Sequence, residues 1–155
     1  MAHPIYLIDA NVLIGLKNYP SKQFPSLWRR LNEMVSEKRL FSCREVLREL
    51  ESSDDECSSW SKANKSIFLN PELEEFELVT EILDRYPNSI RKVNIEKGLP
   101  AADPFLVASA KVHQYILLTN EKYKPNGQKI PNICERYEVD YIDWYGFLAA
   151  EDWVF

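Results

Sequence analysis

Glycine, histidine and long apolar runs are scarce in this chain. It holds 4 glycines and 2 histidines among 155 residues, and 45% of its residues are hydrophobic. So little glycine argues against a low-complexity or linker protein, and no apolar run approaches the roughly 20 residues that span a bilayer. The chain also begins without the basic segment and apolar core of a secretion signal. We therefore expect one globular domain, residues 1–155, in the cytoplasm and without a membrane.

Cysteine is too sparse for a disulfide framework, and cysteine and histidine together are too sparse for a structural zinc site. The three cysteines, Cys43, Cys57 and Cys134, are odd in number and contain no close pair, which suits buried thiols in a reducing compartment. His3 and His113 are the only imidazole ligands, and neither lies near a cysteine pair. A structural zinc site is therefore not expected.

Positive charge is also in deficit. The chain has 19 Lys and Arg against 24 Asp and Glu, a formal net charge of -5. This balance argues against a general electrostatic grip on nucleic acid. Acids gathered around a metal would account for much of the excess, and an acidic protein can still present a local basic strip. The net charge alone does not exclude a nucleic-acid substrate.

The first apolar run ends in an aspartate. Residues 5–8 have the length and character of a strand, Asp9 follows them, and residues 10–16 continue as a short helix. Open α/β sheets hold their ligands at the carboxyl ends of strands, so Asp9 is a candidate ligand of a divalent-metal nuclease site. It is equally a candidate cap for the helix that follows. This stretch alone does not separate the two interpretations.

Two further acids belong to one predicted helix. Ser42 and Glu45 have the spacing of a capping box, which predicts a helix start at Ser42. Glu45 and Glu49 then project from the same face one turn apart, beside an apolar stripe. Such a pair is unfavourable unless a cation lies near, but solvated surface glutamates are the commoner case.

The remaining candidates lie in the second half of the chain, after a loop predicted over residues 97–100. Asp103 falls in the first turn of a small-residue helix that Pro104 opens, where a capping role is again the simple alternative. A buried strand over residues 115–119 ends in Thr119, and Glu121 follows it. Three lysines in the next loop form a local positive patch that could contact phosphates or simply be solvated: Lys122, Lys124 and Lys129.

Strands that alternate with helices predict an α/β fold with a mostly parallel sheet. Strand ends and helix starts would then bring together Asp9, Glu49, Asp103 and Glu121. Hard oxygen ligands without histidine or cysteine suit Mg²⁺ or Mn²⁺. Such a site can lower the pKa of a bound water and neutralise charge at a leaving oxygen.

In order and spacing, four stretches of the chain resemble the PIN-domain nucleases, which include VapC-type toxins of prokaryotic toxin–antitoxin systems. The stretches are residues 8–14, 42–50, 102–110 and 118–121. The resemblance implies a three-layer PIN-like domain with about five mostly parallel strands between helices. It also implies that the four acids face one Mg²⁺ or Mn²⁺ pocket supported by Asn11 and Thr119. RNA cleavage by metal-activated water, a cognate antitoxin and often a homodimer are further implications.

The chain departs from the family pattern at two places. Glu121 stands where many PIN domains have Asp, so its longer arm could bind through water. Glu45 lies beside Glu49 and could share the site or replace its neighbour as ligand.

Two other functions compete with the nuclease. Haloacid-dehalogenase-like phosphohydrolases also begin with a strand-terminal aspartate, but they need a second aspartate where this chain has Asn11, which cannot act as their acid/base. A catalytically silent PIN-like module that binds a protein partner is favoured slightly by the overall negative charge.

Overall fold

The five strands form one parallel sheet. In a computed structural model that describes residues 3–89 and 102–155, the order across the sheet is β3-β2-β1-β4-β5. Neighbouring strands are parallel at every pairing. The strands are β1 (Tyr6–Ile8), β2 (Leu40–Cys43), β3 (Phe68–Leu69), β4 (Ile116–Leu118) and β5 (Tyr141–Ile142). The expected parallel sheet is confirmed, whereas the loop predicted over residues 97–100 lies outside the described residues.

Helices cover the sheet and complete a three-layer α/β domain. They are α1 (Ala10–Gly15), α2 (Pro25–Ser36), α3 (Arg44–Leu50), α4 (Glu56–Ala63), α5 (Leu73–Arg85), α6 (Ala102–His113), α7 (Ile130–Tyr137) and α8 (Trp144–Ala150), with 3-10 turns at Leu16–Asn18 and Lys65–Ile67. Within the described ranges, no helix combines the length and the hydropathy that crossing a bilayer would require.

Strand β1 lies at the centre of the sheet and is buried on both faces. Tyr6, Leu7 and Ile8 are each 0% exposed, as expected for a strand of a parallel sheet covered by helices on both sides. The rings of Tyr6 and Phe147 meet in a T-shaped, edge-to-face contact with their centroids 4.8 Å apart. The residue that follows β1 is consequently fixed by the core.

The helix start predicted at Ser42 was wrong. Ser42 belongs to β2 and is fully buried, and its hydroxyl donates a 2.6 Å hydrogen bond to the carbonyl oxygen of Ile8. Helix α3 begins at Arg44 instead, and Cys43 at its N-cap makes no side-chain capping bond. The capping-box pattern failed because the serine hydroxyl bonds to the neighbouring strand rather than to its own helix.

Strand β3 was not predicted, because it is only two residues long and pairs through Ser42 and Cys43 of β2. A two-residue strand carries no alternation of apolar and polar positions that a sequence pattern could detect.

The expectation of buried free thiols is confirmed for all three cysteines.

Candidate metal centre

Asp9 lies at the carboxyl end of β1 and is 4% exposed. Its backbone N–H donates to the carbonyl of Leu118 at 2.9 Å, which ties it to the end of β4. Its carboxylate accepts a 2.7 Å bond from the N–H of Ala10 and a 2.8 Å bond from the hydroxyl of Thr119. Asp9 therefore does cap α1, and its second carboxylate oxygen is held by a residue of β4's carboxyl edge.

The residues after β4 are bonded into the same edge. The Thr119 hydroxyl accepts a 3.2 Å bond from the Glu121 N–H, and the Asn11 side chain accepts one of 3.2 Å from the Asn120 N–H. One carboxylate oxygen of Glu121 accepts a 3.0 Å bond from the Ile130 N–H, at the start of α7. These bonds fix Glu121 beside Asp9 through Thr119.

Glu49 and Asp103 enter the site from two helices. Glu49 lies on α3, and Asp103 lies in the first turn of α6. Burial and, after it, the charges of Asp9 and Glu121 raise the pKa of both side chains, which places all four carboxyls within electrostatic reach of one another. The structure thus brings the four acids proposed from the sequence to one edge of the sheet.

Burial and mutual repulsion keep three of these carboxyls from ionising readily. Burial, with a further contribution from Glu121, raises the pKa of Asp9 to about 6, although the Thr119 hydroxyl opposes the shift. Burial and then Asp9 raise that of Glu49 to about 7. Burial and then Glu121 raise that of Asp103 to about 8, while Lys129 lowers it. A bound cation would relieve this repulsion and displace the protons.

The carboxylates are spread rather than tightly gathered. Among the described residues, no three of these four acids offer ligand atoms that all lie within 4.8 Å of one another. The donor set still fits a hard divalent ion, since it consists of carboxylate oxygens whose mutual repulsion a cation removes. Binding through ordered waters, or a small closure of the side chains, is compatible with this spread.

Glu45 has a different environment from Glu49. Both oxygens of its carboxylate lie 3.0 Å from the Arg48 guanidinium, and its charge is one of those that raise the pKa of Glu49. The helical face they share therefore carries an ion pair at Glu45 and, one turn on, a half-buried carboxyl at Glu49.

The three lysines named from the sequence are all exposed. Lys129 lies close enough to Asp103 for its charge to lower that pKa. Lys122 lines a cavity of about 290 Å³ together with Tyr19, Trp144 and Tyr145. The positive patch therefore borders the acidic edge on one side and an aromatic cavity on the other.

Asn120 belongs to the same edge, although no role was predicted for it from the sequence. Its side-chain oxygen accepts a 2.9 Å bond from the Trp144 N–H, and its backbone bonds to Asn11, so it links β4 to α8 and α1. It also lines the aromatic cavity. Its position directly after a predicted strand, between Thr119 and Glu121, was the signal that could have identified it.

The fold and this edge define a class of protein: an α/β domain with a five-stranded parallel sheet and an acidic centre at the carboxyl ends of its central strands. The chain belongs to the family described as a domain of unknown function, DUF4411, whose profile matches residues 6–155.

No curated protein matches the chain. A solved structure, VapBC2 from Rickettsia felis bound to a DNA fragment from their promoter, superposes with a TM-score of 0.46 at 16% identity, covering 90% of this chain and 98% of that chain. At these values the likeness does not bear on function.

Proposed function

We propose that the protein is a divalent-metal-dependent endoribonuclease that uses Mg²⁺ or Mn²⁺. The observation that carries the proposal is the meeting of Asp9, Glu49 and Asp103 with raised pKa values beside Glu121, from four separate parts of the chain. Perturbed carboxyls that repel one another are a feature of functional sites. Four carboxyls that repel one another lower the stability of the fold unless a cation lies between them. A bound cation therefore explains why they meet.

In this proposal, Asp9, Glu49, Asp103 and Glu121 hold the ion. The ion would activate a water for attack on an RNA phosphodiester and neutralise charge at the leaving oxygen. Thr119 orients Asp9 through its 2.8 Å bond, and Asn11 fixes the loop after β4 through the Asn120 N–H. Glu49, rather than Glu45, is the ligand from α3, because Glu45 is engaged by Arg48.

Exposed lysines would contact the substrate backbone. Lys122, Lys124 and Lys129 supply positive charge next to an acidic centre that would otherwise repel RNA. The lowering of the Asp103 pKa by Lys129 supports a position within reach of a phosphate at the centre. These contacts would position RNA without reading its sequence.

The resemblance to VapC-type nucleases extends the proposal to biology. The protein would be the toxin of a prokaryotic toxin–antitoxin system, acting in the cytoplasm as a single domain, capable of forming a homodimer and neutralised by a cognate antitoxin. The three buried, free cysteines are compatible with a reducing compartment. Co-expression with a neighbouring small gene product that restores growth would support the antitoxin, whereas toxicity unaffected by any such product would contradict it.

Cleavage of labelled RNA with and without Mn²⁺ tests the enzyme. Wild-type protein should cleave only with the metal, and Asp9→Asn and Asp103→Asn proteins that remain folded should not cleave. Asp140→Asn is the matched control, because Asp140 is an exposed aspartate just before β5, at the opposite edge of the sheet. Unchanged cleavage by the Asp9 and Asp103 variants would overturn the site assignment.

The two alternatives predict different results. A silent interaction module, favoured by the net charge of -5, would neither cleave RNA nor bind Mn²⁺. A phosphohydrolase would turn over a phosphate monoester alone. The latter is disfavoured because the Asn11 side chain accepts a bond from the Asn120 backbone and has no acidic proton to donate.

A further inference from the structure

A second cluster of metal-ligating side chains lies away from the acidic edge. Glu72 and Glu75 belong to the start of α5, and His113 ends α6. Each offers one ligand atom, and the three atoms lie within 4.8 Å of one another, the one such group among the described residues. Because α6 carries Asp103 at its other end, the helix separates this cluster from the candidate metal centre by about 15 Å.

The spacing within the cluster is that of ligands around an ion. The His113 Nε2 lies 3.5 Å from an oxygen of Glu75 and 3.9 Å from an oxygen of Glu72. Both separations exceed the usual 2.7–3.2 Å of an N–H···O hydrogen bond. Around a tetrahedral zinc ion with bonds near 2.0–2.2 Å, neighbouring ligand atoms lie about 3.3–3.6 Å apart. The pair with Glu75 already has this separation, and the pair with Glu72 needs a shift of a few tenths of an ångström.

Two of the three side chains, those of Glu75 and His113, are held in place before any ion binds. Glu75 is 4% exposed and accepts a 2.8 Å bond from the Glu72 N–H as part of a capping box. The His113 ring stacks on Tyr115 at 5.2 Å, and Tyr115 stacks on Phe41 at 5.6 Å. A fixed imidazole and a fixed, buried carboxylate reduce the entropy lost on binding. Glu72 is exposed and supplies the adaptable ligand.

We propose that Glu72, Glu75 and His113 form a structural site for Zn²⁺ or a similar divalent transition ion, which links the start of α5 to the end of α6. One imidazole and two carboxylates suit zinc, and a water would complete four-coordination. No cysteine pair lies near His113 in the sequence, but the fold supplies two glutamates instead. The site is independent of the proposed nuclease activity.

The competing explanation is a plain ion pair between a protonated His113 and the two glutamates. Both explanations account for the closeness of the groups, but they differ in their response to zinc. A metal site binds Zn²⁺ at one equivalent and is stabilised by it, whereas an ion pair gains nothing from the ion.

The test uses Asp9→Asn/Asp103→Asn protein, so that the acidic edge does not bind the added ion. Calorimetric titration with Zn²⁺ should show one ion per chain, and thermal unfolding should move to higher temperature. Adding His113→Gln should weaken binding roughly 100-fold or more, since a direct ligand is lost. Glu75→Gln should weaken it too while still accepting the capping bond, so the fold is retained. His3→Gln is the matched control, because His3 is exposed near the amino end.

Two results would overturn the proposal. One is the absence of Zn²⁺ binding in the folded double variant. The other is binding that His113→Gln and Glu75→Gln leave unchanged while circular dichroism shows native helix content. Because the test measures Zn²⁺ binding and not RNA cleavage, a failure of the nuclease proposal would not change what either result means for the zinc site.

Discussion

Replacing Asp103 with asparagine should stabilise the protein when no divalent metal is present. The carboxyl of Asp103 lies in the first turn of α6, largely buried and facing the charges of Glu121 and Asp9. An amide of nearly the same shape carries no charge to desolvate or to repel its neighbours. Most substitutions of a buried, bonded group destabilise, so a gain in stability would be a distinctive result.

The magnitude follows from linkage between protonation and folding. The pKa of Asp103 rises from the ordinary 3.8 to about 8 in the folded protein. Between the two pKa values, the folded chain keeps a proton that the unfolded chain has released. Each pH unit in this range lowers the free energy of unfolding by about 1.4 kcal/mol. At pH 7 the increase in the free energy of unfolding of Asp103→Asn over wild type therefore has an upper limit of about 4 kcal/mol. Because the neighbouring carboxyls share the repulsion, we expect an increase of between about 1 and 4 kcal/mol.

The sign fixes the pH dependence as well. Because the folded state binds more protons, the free energy of unfolding of the wild-type protein falls as pH rises from about 4 to about 8. The advantage of Asp103→Asn should therefore vanish near pH 4 and reach its full size near pH 8. Asp140→Asn, at an exposed position, should show no such trend.

Urea unfolding in EDTA at several pH values measures the effect. Addition of Mn²⁺ should reverse the order, because wild-type protein gains binding energy that the variant lacks. The reasoning is refuted if the variant is less stable than wild type in EDTA at pH 7, or if their difference does not change with pH.

Three further predictions concern the same edge. Thr119→Val removes the 2.8 Å bond to Asp9 and should weaken Mn²⁺ binding roughly 10–100-fold in calorimetry, whereas Thr119→Ser should retain wild-type affinity. Equal affinity in wild type and both variants would contradict an orienting role for Thr119. Ser42→Ala removes the 2.6 Å bond to the Ile8 carbonyl and should cost about 1–3 kcal/mol in urea unfolding, whereas no loss would mean that the bond is dispensable. Mn²⁺ affinity should rise more than tenfold from pH 6 to pH 8, because the ion must displace protons from carboxyls with pKa values of about 6 to 8, and a flat profile would argue against these ligands.

The elements that lead into the candidate site could be predicted from apolar runs and from proline. The runs over residues 5–8 and 115–119 located strands β1 and β4 within about one residue, and Pro104 located the start of α6 within about two. Strand β3 was not detectable, since its two residues acquire strand geometry only by pairing with β2. The misplaced start of α3 has the same origin, because a long-range bond from Ser42 replaced the local one that its spacing suggested.

The acids of the candidate site could be predicted from the sequence, but the hydrogen bonds and ion pairs that connect them to their neighbours could not. A carboxylate after a strand or at a helix start is visible in the sequence, so Asp9 and Asp103 could be named. The pairing of Glu45 with Arg48, and the bridging role of Asn120, depend on rotamers and on neighbours distant in the chain. For the same reason, the proximity of His113 to Glu75 could not be read from residues 38 positions apart.

The choice between cap and ligand at Asp9 now turns on burial. Two other aspartates cap helices in this protein: Asp55 accepts a bond from Ser58 and Asp143 accepts one from Gly146, each at 2.8 Å, and both are exposed. Capping therefore does not require a carboxylate to leave water. Asp9 caps α1 while only 4% exposed, and this burial, with a further contribution from the charge of Glu121, raises its pKa. The cap explains where its first oxygen points, but the burial of the whole group among other acids is a cost that capping does not offset and that a cation would.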